Sequence, residues 1–178
     1  MRYGLVEYRM YRNAVDGLRI QAPKLDDFTA SLKKDPELIY LRSRARAELQ
    51  ALYNDLTDDL DLPDLPVYFP VRKKVFVYGA TYHADGVPSE IRIYSLKGCS
   101  NKSYDKWTPR DIRACTETEV FETFIHESAH VLEAIRSGRM GHGKPFIKAY
   151  ENIEEYFLNR GLENLIDPKI RLMGVPGA

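Results

Sequence analysis

The stretch FIHESAHVLEAIRSGRMGHGKPF, residues 124–146, decides how this chain folds and where its reactive side chains meet. It holds three of the chain's four histidines, namely His126, His130 and His142. The first two lie four residues apart, so in a helix they project from one face about 40° apart. Glu127 lies beside them within an otherwise apolar run. Charged and polar groups in such a run must be compensated by a partner or a ligand.

The sequence marks both ends of this helix. Thr116 is followed three residues later by Glu119, which is a capping-box pattern, and Ser137-Gly138 supplies the expected end. Between these points apolar side chains recur at helical spacing, which predicts a largely buried helix. The apolar positions are Val120, Phe121, Phe124, Ile125, Val131, Leu132 and Ile135.

Residues 126–130 read H-E-x-x-H, and the spacing has a chemical explanation. One helical turn brings two imidazole nitrogens close enough to bind a single Zn²⁺ at about 2.0–2.1 Å. The intervening glutamate then reaches the water that the metal activates. We therefore predict His126 and His130 as zinc ligands and Glu127 as the catalytic general base.

A catalytic zinc requires a third protein ligand and an open fourth position. His142 follows His130 by twelve residues, which is enough chain to finish the helix and turn back toward the metal. The glycines on either side of His142 permit a close backbone approach. An alternative ligand is a glutamate of the next helix, either Glu151 or Glu154. We expect His142, and the glutamate arrangement stays open.

Three further residues have two interpretations each. Glu133 faces the same side as His126, so it either orients a ligand or pairs with Arg136. Tyr150 is expected in the core or at the rim, with a hydrogen bond to the oxyanion as the second interpretation. His83, at the end of a predicted strand, is expected at the surface, with a role near the cleft as the alternative.

A second helix is predicted upstream. Asp35-Pro36-Glu37 combines a capping residue, a proline suited to the first helical position and an acid at the positive end of the helix dipole. Apolar residues then recur every three or four positions until LDLPDLP, residues 60–66. They are Leu38, Leu41, Ala45, Leu49, Leu52 and Leu56. Residues 3–11 fit neither period cleanly, so the sequence predicts no element there.

The middle of the chain has a composition typical of β-strands. Residues 73–83 and 89–98 are rich in β-branched and aromatic side chains, and ADGVP, residues 84–88, carries turn chemistry. We predict a hairpin, with residues 66–70 as a third strand. Residues 98–113 are polar and show little periodicity, so we expect a long surface loop of the kind that often serves function.

Charge and cysteine content exclude several classes of protein. Lys+Arg and Asp+Glu number 26 each, so no global basic field exists to attract nucleic acid or anionic membranes. The sequence shows no signal peptide and no apolar run long enough for a membrane span. Cys99 and Cys115 form no C-x-x-C motif. We expect a cytoplasmic protein, although a Cys99–Cys115 bridge stays an alternative.

The residues resemble a known family. HESAH, residues 126–130, followed by GHGKPF, residues 141–146, is similar to the SprT-like (Spartan-like) zinc metallopeptidases, whose pattern is H-E-x-x-H and then G-H-G-x-x-F/W. Residues 77–98 and the helix ending in LYNDL, residues 52–56, are similar to that family's hairpin and entry helix. The resemblance implies zinc bound by His126, His130 and His142 with Glu127 catalytic. It also implies protein substrates, often proteins crosslinked to or bound on DNA.

Together these observations predict an α+β, zincin-like domain with a small twisted sheet packed on the H-E-x-x-H helix and further helices around it. We expect one domain over residues 1–178: an N-terminal segment of uncertain structure (1–34), a catalytic core (35–165) and a tail (166–178). The predicted function is zinc-dependent hydrolysis of peptide bonds in protein or peptide substrates.

Two other classes of function stay open. The first is a non-catalytic, zinc-stabilised module that binds its partner through residues 98–113. The second is a nucleic-acid-associated protein with a basic surface patch, whereas the simpler interpretation of these cations is a solvated face. The patch would consist of Arg42, Arg44, Arg46, Lys102 and Lys106.

Overall fold

Helices and short strands alternate in an α+β arrangement, as the sequence predicts. The computed structural model describes residues 4–71 and 78–167. The helices are α1 (Val6–Gln21), α2 (Leu25–Lys34), α3 (Pro36–Leu60), α4 (Glu117–Ser137) and α5 (Lys144–Leu158). The strands are β1 (Val67–Tyr68), β2 (Gly79–Ala84), β3 (Val87–Ile93), β4 (Leu96–Gly98) and β5 (Ile112–Ala114). No helix in the described ranges is both long and apolar enough to cross a bilayer.

The predicted upstream helix is confirmed as α3. The Asp35 carboxylate accepts hydrogen bonds from the backbone N–H groups of Glu37 and Leu38, at 2.9 and 3.1 Å. Pro36 occupies the first helical position, where its missing N–H costs nothing. The helix ends at Asp61, which adopts a left-handed conformation with φ of 53°. Its apolar face is buried in the core.

The N-terminal segment, whose structure the sequence leaves open, forms α1 and α2. The first of these helices buries Tyr8, Tyr11 and Val15 against the core. It has no side-chain cap of its own. Instead the carboxylate of Glu48 on α3 accepts the N–H groups of Glu7 and Tyr8, at 3.2 and 3.0 Å. The capping group thus comes from 40 residues away, which no local pattern reveals.

The predicted hairpin and third strand are confirmed in the described ranges. β2 and β3 pair antiparallel around Asp85-Gly86, and both turn residues have positive φ, 53° and 81°. β1 pairs parallel with β3, so the strand order is β1-β3-β2. Residues 73–77 of the predicted first strand lie outside the described ranges.

The prediction of a loop for residues 98–113 is wrong in part. Its two ends pair antiparallel as β4 and β5, and two short 3₁₀ turns lie between them. The Trp107 ring is buried directly over Gly98, where a β-carbon would collide with it. The pairing joins residues far apart in sequence through strands of three residues each, too short to show a period.

The two cysteines do not form the alternative disulfide. Cys99 is an exposed thiol and Cys115 is a buried one. Burial raises the pKa of Cys115 to about 12, so this thiol stays protonated and unreactive. The hydroxyl of Tyr8 donates a hydrogen bond of 2.6 Å to its backbone carbonyl, which ties α1 to the chain entering α4.

The ends of α4 are confirmed. Thr116 and Glu119 form the predicted capping box, and Gly138 ends the helix in a left-handed conformation with φ of 64°. The predicted apolar face is buried from Val120 to Leu132. Ile135 was expected there too, but it lies in the last turn and is 47% exposed. The apolar face therefore stops one turn before the helix does.

α4 is the central element of the fold. It packs against β2 and β3 and also against α5. The contact with α5 is aromatic, since the Phe157 ring lies 5.1 Å from Phe121 and 6.0 Å from Phe124. The same helix also buries polar side chains among these apolar ones: Glu122, Glu127, Ser128 and Glu133.

Glu119 anchors the start of α4 to the β4–β5 pair, which yields a prediction about stability. Burial opposes its charge, but hydrogen bonds from Arg113, the Thr116 N–H and Lys97 lower the pKa of Glu119 to about 2. We predict that Glu119→Gln lowers the free energy of unfolding by about 1–3 kcal/mol at pH 7, because charge-assisted hydrogen bonds are lost.

The pH dependence of this loss has a defined sign. The folded pKa lies below the unfolded value near 4.5, so the stabilisation is complete above pH 4.5 and disappears as the pH falls toward 2. Urea unfolding of parent and variant at pH 7 and pH 3.5 should show a smaller difference at the lower pH. Glu155→Gln, at an exposed position of α5, is the matched control. An equal difference at both pH values would contradict the assignment.

Candidate metal centre

Two of the three predicted ligands lie on successive turns of α4. The rings of His126 and His130 are 4.9 Å apart between centroids, and their Nε2 atoms are separated by 3.2 Å. The Phe146 ring, from the first turn of α5, lies 4.9 Å from His126 and 4.5 Å from His130.

The third predicted ligand arrives from the loop between α4 and α5. The left-handed turn at Gly138 ends the helix, and residues 139–143 lead back so that the His142 ring lies 4.9 Å from both His130 and Phe146. Its Nε2 atom is 3.1 Å from Nε2 of His126. The structure thus brings the three histidines together, with ligand atoms all within 4.8 Å of one another.

The donor set fits a zinc ion. Tetrahedral zinc with Zn–N bonds of about 2.0–2.1 Å separates its ligand nitrogens by about 3.3–3.4 Å, close to the 3.1–3.2 Å found here. Burial lowers the pKa of His126 to about 4 and that of His130 to about 3, and neighbouring histidines contribute to both. Both rings are therefore neutral at pH 7, the form that binds metals.

The alternative third ligands lie elsewhere. Glu151 is exposed on α5, and Glu154 is buried on the same helix. Among the described residues, the cluster that could hold a metal contains His126, His130 and His142 but neither glutamate. The geometry therefore favours the histidine arrangement over the glutamate one.

Glu127 lies where α4 meets β2. Its side chain is only 6% exposed, and the Thr81 hydroxyl lies 2.8 Å from its Oε2 atom and 3.0 Å from its backbone oxygen. Burial raises the pKa of Glu127 to about 7, although the hydrogen bonds with Thr81 lower it. A carboxylate with such a pKa exchanges protons near neutral pH, as a general base must.

The sequence reasoning missed two residues of β2 that hold Glu127. Thr81 is the first, and Gly79 is the second. A β-carbon at Gly79 would lie 2.8 Å from Cγ and Oε1 of Glu127 and 2.6 Å from Cγ2 of Thr123, which is closer than real contacts allow. Glycine inside a strand often marks such a close approach, so a usable signal was present in the sequence.

Glu133 lies one turn beyond His130 and is 3% exposed. Its Oε2 atom accepts a hydrogen bond of 3.1 Å from the Gly141 N–H and lies 3.7 Å from Nδ1 of His130. Its predicted roles were to orient a metal-ligand histidine or to pair with Arg136, and these contacts favour the first. Within the described ranges its ion-pair partner is His130 and not Arg136.

The two predicted cleft residues have different surroundings. Tyr150 is buried, and its hydroxyl donates a hydrogen bond to Glu122. That hydroxyl proton is therefore already used and is not directed at an oxyanion. His83 is half-buried, and its Nε2 atom is buried without a hydrogen-bond partner among the described residues. It also contributes to the low pKa of His130, so the two rings lie near each other.

Within the described part of the chain, two of the five cations of the predicted basic patch pair with acids, and a third packs against the fold. Arg44 pairs with Glu7 at 2.8 Å, and Lys102 lies 3.1 Å from Asp111. The Arg46 side chain donates to the Val67 carbonyl and lies over the Tyr68 ring. These contacts give the nucleic-acid interpretation no support.

No family model, curated protein or solved structure matches this chain. The similarity of residues 126–130 and 141–146 to the SprT-like pattern therefore stays a prediction. The arguments that follow rest on the geometry of the described residues.

The ligand assignment yields a direct prediction. Replacing His126, His130 or His142 singly by Ala should weaken zinc binding by more than about 100-fold, the upper range for loss of an outer partner. Glu151→Ala and His83→Ala should bind zinc like the parent, because neither side chain belongs to the cluster. Competition with a chromophoric chelator measures each affinity. Normal affinity in His142→Ala with loss in Glu151→Ala would overturn the assignment.

The close approach of β2 and α4 yields a second prediction. Gly79→Ala should destabilise the protein, because the new methyl group displaces Glu127 or Thr123. Gly17→Ala is the matched control: it lies inside α1 with no atom within 4 Å of the new β-carbon, and Ala there should be neutral or stabilising by up to about 1 kcal/mol. Urea unfolding measures both. Equal stabilities would show that β2 does not press on Glu127.

Proposed function

We propose that this protein is a zinc-dependent peptidase of zincin-like, SprT-like type that hydrolyses peptide bonds in protein or peptide substrates. One observation carries the proposal. The Nε2 atoms of three histidines, two on α4 and one on the loop that follows it, lie close together. Glu127, the residue directly after His126 on α4, is buried. Three imidazole donors beside one carboxylate are what metal-assisted hydrolysis requires.

His126, His130 and His142 would hold the zinc ion. When bound, zinc supplies a Lewis acid that lowers the pKa of water and polarises a carbonyl. Burial holds His126 and His130 in the neutral form. These two ligands would therefore not offset the charge of a bound dication, which favours this chemistry.

Glu127 acts as the general base in this proposal. With a pKa of about 7 it accepts a proton from the attacking water and returns it to the leaving amine at neutral pH. Thr81 holds one carboxylate oxygen in place, and Gly79 lets the strand approach without pushing the side chain aside. The base is thus oriented by a strand, which is more rigid than a loop.

The same strand offers a place for the substrate. Among the described strands β2 pairs with β3, and no other described strand pairs with its second edge. An extended peptide added along this edge would run beside Glu127 and His83, which both belong to or contact β2. Backbone pairing of this kind gives little sequence selectivity. We therefore propose flexible, extended polypeptide as the substrate class.

The decisive test uses Glu127→Gln. The substitution keeps the shape of the side chain but removes the base, so hydrolysis should fall by about 10²-fold or more. The variant should still fold and retain bound zinc, since Glu127 is not a ligand. Cleavage of a dye-labelled unfolded protein by zinc-loaded parent and variant measures the effect, with Glu155→Gln as the matched control.

Two outcomes would overturn the proposal in different ways. A parent that binds zinc but cleaves no unfolded protein or peptide would favour the non-catalytic, zinc-stabilised module. Equal cleavage by parent and Glu127→Gln would keep the enzyme but remove Glu127 as its base. Histidine variants cannot make this distinction, because they lose the metal together with the reaction.

A further inference from the structure

A buried acid on α4 connects two of the three histidines. Glu133 is nearly fully buried, and one of its oxygens, Oε2, faces two groups at once. It accepts the N–H of Gly141 at 3.1 Å and lies 3.7 Å from Nδ1 of His130. Gly141 immediately precedes His142 in the loop. One oxygen of Glu133 therefore lies close both to His130 on the helix and to the loop that carries His142.

The surroundings of Glu133 do not otherwise account for its burial. Taking a carboxylate out of water is costly unless cations or hydrogen bonds compensate it. In residues 4–71 and 78–167 the charged-type side chain nearest its carboxylate is His130, at 3.7 Å, and no lysine or arginine pairs with it. Structural stability alone gives little reason to keep an acid there.

His130 has a matching requirement. Its Nδ1 atom is buried and has no hydrogen-bond partner among the described residues. When Nε2 of a histidine serves as a metal ligand, the ring proton must lie on Nδ1, and that N–H is normally donated to a carboxylate or carbonyl. Glu133 is the carboxylate on that side. The pair becomes complementary when His130 is a ligand.

The loop is tied to the same point. The Ser137 hydroxyl donates to the backbone oxygen of Glu133 at 2.8 Å, and Ser137 Oγ accepts the Arg139 N–H at 3.3 Å. With the Gly141 contact, these hydrogen bonds shape the turn that returns His142 to the site. The turn would be less defined without the Glu133 side chain, since glycines lie at positions 138, 141 and 143.

We propose that Glu133 is the positioning residue of the metal centre, orienting His130 and fixing the 138–143 loop so that His130 and His142 bind the metal as one unit. The inference rests on the metal centre of the proposed function and does not require peptidase activity. Its substitution should therefore alter zinc affinity in a way that depends on His142.

The first measurement is zinc affinity by chelator competition. Glu133→Ala should weaken binding by about 10- to 100-fold, the usual range for an outer carboxylate partner of a ligand. Glu133→Gln should weaken zinc binding less than Glu133→Ala, because its amide oxygen can still accept the Gly141 N–H. It should still weaken binding, because the negative charge that faces His130 is removed. Glu155→Gln on α5 is the control. Affinities equal to the parent in both Glu133 variants overturn the inference.

The second measurement tests the link to the loop. In a His142→Ala background, Glu133→Ala should cost less affinity than in the parent, because the loop no longer delivers a ligand. Equal fold-losses in both backgrounds overturn the link. Hydrogen exchange at the Gly141 amide provides an independent readout: zinc should slow it in the parent and have little effect in Glu133→Ala.

Failure of the inference is distinguishable from failure of the proposed function. A parent that binds no zinc overturns both. A parent that binds zinc with or without cleaving peptides leaves the comparison of Glu133 variants intact. If Glu133→Ala fails to fold, Glu133→Gln, which preserves volume and one acceptor, still decides the question through its zinc affinity.

Discussion

The contact between α4 and β2 at Glu127 is the constraint on which the rest of the structure depends. A helix that buries several acids and histidines is stable only if each is supplied with a partner. β2 supplies one through the Thr81 hydroxyl, and it comes near enough to do so because residue 79 is glycine. The hairpin, the sheet and the packing of α5 on the opposite side keep this contact in register.

The second requirement is a helix that ends at the right residue. Gly138 stops α4 two turns after His130, and the chain then has just enough length to return before Pro145 starts α5. Phe146, in the first turn of α5, touches all three histidine rings. The end of one helix and the start of the next thus enclose the site from two sides.

The features that the sequence predicts are local in the chain, whereas the features that it misses join residues far apart in sequence. The cap at Asp35, the capping box at Thr116 and the Asp85-Gly86 turn are local signals, and each was read correctly. The convergence of three histidines followed from helical spacing and one loop. The capping of α1 by Glu48, the β4–β5 pair and the contact of Thr81 with Glu127 join distant residues, so no local period announces them.

Burial moves the pKa of the acid and the pKa values of the two bases in opposite directions, and a bound cation would counter the cost of burying the charged acid. It raises the pKa of Glu127 and lowers the pKa of His126 and His130, so each group is driven toward its neutral form. The rings of His126 and His130 lie on the same helix as the buried acids Glu127 and Glu133, and among the described residues Glu133 has no lysine or arginine as an ion-pair partner. A dication bound by the nitrogens would supply positive charge to both acids at once. If zinc binds as proposed, it would stabilise the fold as well as serve the reaction, because it would offset the cost of burying the two carboxyl groups.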